Sequence, residues 1–136
     1  MTKKRQADYN CAMEAALTVI GGKWKLKILN QLLAGPARYT DIKRGANGIT
    51  EKVLTQQLRE LEEDNIIKRK VYPVVPPKVE YAYTELGREL TGIFYALEKW
   101  GSNFLTQTNP DNEPVQMDVS CFNADIAKVL KTGVDL

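Results

Sequence analysis

The segment TEKVLTQQLRELEEDN, residues 50–65, holds the side chains best placed for chemistry. Its leucines recur every third or fourth residue, so one face of a helix would be buried and the opposite face would present Lys52, Gln56 and Arg59. These donors suit guanine and adenine edges or phosphates. Carboxylates follow at the C-terminal end, an order that opposes the helix dipole. The pattern indicates either an ordinary solvated helix or a helix whose first turns face something negative.

Catalytic and metal-binding groups are scarce in this chain. The sequence has no histidine, which is the commonest general base and neutral metal ligand. Its two cysteines, Cys11 and Cys121, have no neighbouring cysteine at metal-ligand spacing. A glycine-rich phosphate loop and paired carboxylates within an apolar run are also absent from the sequence. We therefore expect no enzyme activity, no metal site and no cofactor.

Cys11 is predicted to lie in the first turn of a helix. Backbone N–H groups there, together with the nearby Lys3, Lys4 and Arg5, would favour the reactive thiolate. A buried structural cysteine is the alternative, and it is the commoner state of a single cysteine. Both interpretations remain open from the sequence. Cys121 could act as a resolving partner across a dimer.

The overall composition is that of one ordinary globular domain of 136 residues, with 43% hydrophobic and 26% charged residues. No apolar run approaches the roughly 18 residues of a membrane span, and no signal-peptide stretch follows the basic N-terminus, which predicts a cytoplasmic protein without membrane contact. Residues 1–105 hold 17 Lys and Arg against 12 Asp and Glu, a net +5, whereas residues 106–136 hold 2 against 5, a net −3. This charge distribution is compatible with nucleic-acid binding.

Apolar periodicity places these residues on a series of short elements. It predicts helices at 11–20, 23–33, 40–46 and 50–64, strands at 67–72 and 79–83 around a proline-rich tip at 73–78, and a long helix at 84–104. Asn10, Thr40 and Thr50 are candidate N-caps. The first helix should be mostly buried, and on the second helix Lys25 and Asn30 should be exposed, with Leu26 facing inward. Residues 107–118 have the composition of a polar linker, and residues 121–131 could form a last helix.

A helix pair closed by a two-stranded wing predicts a winged helix-turn-helix, an α+β fold that is mostly α. The wing carries Lys68, Arg69 and Lys70 on its first strand and Lys78 at its tip. These cations could meet phosphates or the minor groove, or they could blunt an exposed strand edge against aggregation. The apolar stripe of the last long helix needs a partner surface, which the core of the same chain could provide.

Several blocks of the sequence resemble one family. They are Cys11, GGKW at 21–24, RY at 38–39, GIT at 48–50, LTQQLRELE at 54–62, VPPKVEY at 75–81 and TELG at 84–87. Together they look like the HxlR-type transcriptional regulators, relatives of the MarR group. The resemblance implies a homodimeric bacterial winged-helix regulator whose terminal helices form the interface and whose second helix of the helix-turn-helix enters the major groove.

The resemblance also implies a domain plan, partners and a site. Residues 10–105 would form the DNA-binding and dimerisation domain, terminal dimerisation helices included, and residues 106–136 a linker and tail. The partner would be double-stranded DNA carrying a pseudo-palindromic operator, and some relatives sense electrophiles or oxidants through a cysteine at the position of Cys11. The predicted DNA-binding residues are Arg38, Tyr39, Thr50, Lys52, Val53, Thr55, Gln56, Gln57, Arg59 and Lys78. A winged-helix module that binds protein, without redox sensing, is the alternative.

Overall fold

A computed structural model describes residues 11–108 of the chain. Its elements, in order, are α1 (Ala12–Ile20), α2 (Lys23–Asn30), β1 (Ala37–Arg38), α3 (Tyr39–Gly45), α4 (Glu51–Glu63), β2 (Ile67–Tyr72), β3 (Lys78–Tyr83), α5 (Glu85–Arg88) and α6 (Leu90–Thr108). Helices α3 and α4 form the helix-turn-helix, and β2 and β3 form the wing. The predicted winged helix, mostly α, is confirmed. No helix within residues 11–108 is long and apolar enough to cross a membrane.

The core lies where α2, α3 and α4 meet the sheet. Leu54, Leu58 and Leu61 of α4 are fully buried or nearly so, which confirms the predicted inward row. Ile28 and Leu29 of α2 have no exposed surface. The three- and four-residue spacing of these leucines therefore fixes which face of α4 is turned outward.

The sheet has three antiparallel strands in the order β1-β3-β2. The sequence did not predict the strand β1, because two residues are too few to show a periodic pattern. In the sheet, Arg38 of β1 pairs with Glu80 of β3. The placement of Lys78 at the wing tip is also corrected: Lys78 is the first residue of β3 and pairs with Tyr72. The tip itself comprises residues 73–77.

The structure has two helices where the sequence predicted one long helix. Helix α5 ends at Arg88, Glu89 is its C-cap, and α6 begins at Leu90. Thr84 caps α5, since the backbone N–H of Gly87 donates to its hydroxyl oxygen at 3.0 Å. Helix α6 extends through Thr108, so the predicted linker does not begin at residue 107. The Thr108 hydroxyl donates to the carbonyl oxygen of Phe104 at 2.9 Å, which helps a polar residue to remain in the helix.

The first two helices differ in detail from the prediction. Cys11, rather than Asn10, occupies the N-cap position of α1, and within the helix only Ile20 is buried. The predicted burial of α1 is therefore wrong for a single chain. In the same way α3 begins at Tyr39 with Arg38 at its N-cap, rather than at Thr40. Asn10, Cys121 and the predicted helix at 121–131 lie outside the described residues.

Helix α2 ends at Asn30, and the outward face predicted for it is partly wrong. Lys25 and Asn30 are buried, whereas Leu26 is 40% exposed. A charged residue was assumed to point to water, but Lys25 has an anionic partner on α4, described below.

Candidate nucleic-acid interface

Helix α4 begins at a defined cap. The backbone N–H of Val53 donates to the Thr50 hydroxyl at 3.2 Å, as predicted for a Thr N-cap. The turn before it contains Gly48 at φ 90°, a left-handed conformation that glycine adopts without strain. The start of α4 is therefore fixed relative to α3.

Three predicted donors share the outer face of α4. Lys52, Gln56 and Arg59 are all exposed. Together with Tyr39, Glu51 and Thr55 they line one open groove on this face. Thr50 is exposed at the cap, and the half-buried Val53 and Gln57 lie outside this groove. The structure thus brings five of the ten predicted residues onto one surface.

Tyr39 links the two helices of the helix-turn-helix. Its hydroxyl donates to the carbonyl oxygen of Glu51 at 3.2 Å and lies 3.3 Å from the hydroxyl oxygen of Thr55. The ring is half-buried and packs against the core. Tyr39 therefore positions α4, because its polar atom is already bonded to that helix. Its neighbour Arg38 is exposed on β1.

The acidic end of α4 is tied to neighbouring elements. Glu60 Oε2 lies 2.8 Å from Lys25 Nζ of α2, and the Lys25 side chain is only 6% exposed. Glu62 Oε1 lies 3.7 Å from Arg69 Nε of β2. These two ion pairs were missed by the sequence analysis, because nothing in a one-dimensional pattern shows which element faces the far end of a helix. They account for carboxylates at a helix end that the dipole disfavours.

Lys78 is engaged within the wing. Its Nζ lies 2.8 Å from Glu80 Oε1 and 4.7 Å from the centre of the Tyr72 ring. The Tyr72 hydroxyl donates to the other Glu80 oxygen at 3.3 Å. The hydrogen bond from Lys78 holds the pKa of the Glu80 carboxyl below its ordinary value. Within the tip, the Val75 side chain is 99% exposed.

Cys11 is a free, exposed thiol. The backbone N–H group of Glu14, and secondly that of Met13, hold the pKa of the Cys11 thiol below its ordinary value. The lysines and the arginine at positions 3–5 lie outside the described residues. Cys11 lines an open groove of about 490 Å³ between α1 and the α5–α6 corner. The other lining side chains are mostly small or apolar, such as Ala15 and Ile93, but they include the carboxylates of Asp64 and Glu89. Within residues 11–108, no group of three or more His, Cys, Asp or Glu residues could hold a metal ion.

Large apolar side chains are exposed on both α1 and α6. Met13 and Leu17 of α1 are 72% and 59% exposed. On α6, Trp100 is 66% exposed and stacks on Phe104 with ring centroids 5.4 Å apart. Clustered exposure of this kind is typical of an interface rather than of a solvated helix.

Comparison with known proteins decides the family. A family model described as HxlR-like helix-turn-helix matches residues 19–109. The chain belongs to this family. It is 51% identical over 111 residues to YtcD of Bacillus subtilis strain 168, an HTH-type transcriptional regulator without a described role, and the match covers 82% of this chain and 86% of YtcD. The predicted family is confirmed.

Solved structures of two related regulators have the same fold. The redox regulator HypR in its oxidised form is 46% identical, with a TM-score of 0.64 over 68% of this chain and 96% of the HypR chain. Diamide-treated YodB from B. subtilis is 36% identical, with a TM-score of 0.62 over 69% of this chain and 94% of the YodB chain. The HxlR-family chain described here is thus a transcriptional regulator of helix-turn-helix type.

Proposed function

We propose that this regulator binds operator DNA directly, with the first two turns of α4 in the major groove. The supporting observation is the outer face of α4, where Lys52, Gln56 and Arg59 are exposed on a helix held by its cap and by Tyr39. Side chains of these types can bond guanine and adenine edges. In a helix-turn-helix the N-terminal residues of the second helix are the ones that reach the bases.

Four other predicted residues take supporting roles in this proposal. Arg38 and Thr50 would contact phosphates beside the groove, and Val53 would offer methyl groups to thymine. Lys78 would touch the backbone while sharing its charge with Glu80, so its contribution should be small. A role in gene regulation also predicts that the protein works in the cytoplasm, where bacterial DNA lies.

A second copy of this chain is the expected partner of the apolar surface on α1 and α6. Two recognition helices related by a twofold axis would read a pseudo-palindromic operator. The prominence of Trp100, stacked on Phe104, makes it the natural centre of that interface.

Cys11 is proposed as a sensor of oxidants or electrophiles. Its thiol is exposed and its pKa is lowered, which favours the thiolate that reacts. HypR is described as a redox regulator, and YodB has been studied after diamide treatment, which supports the same role here. Modification of a residue beside the apolar surface would change how two copies pack, and so the spacing of their recognition helices.

The DNA-binding proposal is tested by fluorescence anisotropy on the gene's own upstream region over a series of salt concentrations. We expect steep salt dependence, because each phosphate contact releases counterions. Lys52→Ala, Gln56→Ala and Arg59→Ala should each weaken specific binding by about 1–3 kcal/mol and non-specific binding less. Lys99→Ala, an exposed lysine on α6, is the matched control. Salt-insensitive binding, or no binding, would refute DNA recognition and favour a module that binds protein.

The sensing proposal is tested with the wild type and Cys11→Ser, each titrated with operator DNA before and after exposure to a quinone, an aldehyde or a mild oxidant. A change in affinity that occurs only in the wild type supports Cys11 as the switch. Identical responses of the two proteins would dismiss it.

A further inference from the structure

A second cavity lies on the side of the sheet that faces away from α4. It is open to solvent on one side and has a volume of about 520 Å³, within the range of small-molecule sites, between the loop after α2, strands β2 and β3, and the α5–α6 corner. Its apolar wall includes Leu32, Leu33 and Ala82. Its cations are Lys68, Lys70 and Arg88. None of these six residues belongs to the groove on α4 or to the groove beside Cys11.

The alternation of side chains along β2 separates this cavity from the proposed DNA surface. Arg69 points toward α4, where it pairs with Glu62. Lys68 and Lys70, one residue before and after it, therefore point to the opposite face of the sheet. The cavity and the recognition helix thus lie on opposite sides of the wing.

The cavity has an excess of positive charge. Among the described residues no carboxylate forms an ion pair with Lys68, Lys70 or Arg88, while Lys70 lies 4.8 Å from the centre of the Tyr72 ring. Glu80 is the one carboxylate among the described residues that line the cavity, and its charge is matched by Lys78 at 2.8 Å. An apolar wall beside three cations is complementary to a small molecule with an apolar body and one anionic group.

We propose that this cavity is an effector site for a small carboxylate with an apolar body. The apolar body would lie against the wall formed by the loop after α2, and the carboxylate would meet Lys70 and Arg88. The bound molecule would contact the loop that leads into β1 and α3, the wing, and the start of α6. Binding would therefore change the position of the wing relative to α6. This consequence for operator affinity rests on the proposed DNA-binding function, whereas occupancy of the cavity does not.

Occupancy is measured by isothermal titration calorimetry of the full chain without DNA, using 2-naphthoate and its uncharged counterpart 2-naphthamide as probes. We expect 2-naphthoate to bind about tenfold more tightly than 2-naphthamide, because only the acid forms charge-assisted hydrogen bonds. The double variant Lys70→Gln/Arg88→Gln should lose that preference while keeping its affinity for the amide. Lys99→Gln, which removes a positive charge outside the cavity, should behave as the wild type.

A steric variant tests the location independently of charge. Ala82→Met would fill part of the cavity from β3, and we expect it to weaken both probes by about tenfold or more while circular dichroism shows an unchanged fold. Equal affinity for the two probes, no saturable binding, or full 2-naphthoate binding by Lys70→Gln/Arg88→Gln would overturn the proposal. If Lys70→Gln/Arg88→Gln lost DNA affinity but kept full probe binding, these cations would bind the DNA backbone instead of the small molecule. Probe binding by a chain that failed to bind its operator would refute the DNA-binding function and leave the cavity site standing.

Discussion

The ion pair between Lys25 and Glu60 offers a sharp test of how α4 is held in place. Replacing Lys25 with Met keeps an unbranched apolar stem of similar length and removes the ammonium group. The Lys25 side chain is 6% exposed and its Nζ lies 2.8 Å from Glu60 Oε2, while the Glu60 side chain is 26% exposed. The change therefore removes a cation from a nearly closed position, where its anionic partner still reaches water on one side.

The expected loss of stability follows from the different exposure of the two side chains. Removing one partner of a fully buried pair costs about 3–5 kcal/mol, and an exposed pair is worth at most about 1 kcal/mol. Because Glu60 keeps part of its hydration after Lys25 is removed, we expect the free energy of unfolding to fall by about 2 kcal/mol, between these limits. Met also avoids the desolvation of a buried ammonium, which keeps the loss below that of a fully buried pair.

The assay is urea unfolding at one fixed protein concentration, because association of two copies would add a concentration-dependent contribution. A double-mutant cycle of Lys25→Met with Glu60→Gln isolates the pair, and we expect a coupling energy of about 1 kcal/mol or more. Lys27→Met is the control on the same helix, since Lys27 is half-exposed, lies 5.1 Å from the centre of the Trp24 ring and has no carboxylate partner among the described residues. A loss within about 0.5 kcal/mol of that control, or additive effects in the cycle, would refute the reasoning.

Three further predictions concern other positions. Thr50→Ala should lower the free energy of unfolding by about 1 kcal/mol and Thr50→Ser by less, as measured by urea unfolding, because the α4 cap is lost only in the first; equal losses would contradict a capping role. Gly87→Ala should cost about 1–3 kcal/mol in a thermal melt, because its Cβ would lie 2.1 Å from the carbonyl oxygen of Ile66; a wild-type melting temperature would contradict the close packing. In a Cys121→Ser background, the rate of alkylation of Cys11 by iodoacetamide should rise with pH. Its midpoint should lie below that of an ordinary thiol, about 8.5, because backbone N–H groups stabilise the thiolate. A midpoint at or above that of a model thiol would rule out activation.

The elements whose apolar residues follow a regular helical or strand spacing were predictable from the sequence. The leucine row of α4 and its Thr50 cap both depend on residues within one helix, so local spacing specified them. The wing strands followed from alternation and from prolines that cannot continue a ladder. The strand β1 was missed because a two-residue strand exists only through its pairing with β3.

The errors concern contacts between elements. Lys25 was predicted to be exposed because charged side chains usually lie in water, yet its ion pair with Glu60 of α4 compensates for the burial of the ammonium group. Lys78 was predicted at the tip, but the antiparallel register places it opposite Tyr72 inside the ladder. The burial predicted for α1 is not found within one chain, and its exposed Met13 and Leu17 are what the proposed second copy would cover.

The charge order of α4 has a structural consequence for what the helix can read. Glu60 and Glu62 bind cations from α2 and β2, so the acidic half of the helix is directed toward its own protein. The donors Lys52 and Gln56 precede that half and remain on the open face. In the proposed DNA complex, reversing the order to suit the dipole would place acids against the phosphates, and it would also remove the ion pairs of the C-terminal half of α4. For Glu60 alone, the dipole penalty of about 0.3–1 kcal/mol is smaller than the loss of about 2 kcal/mol expected from breaking its pair with Lys25, so this carboxylate is more stable at its position than the dipole alone would suggest.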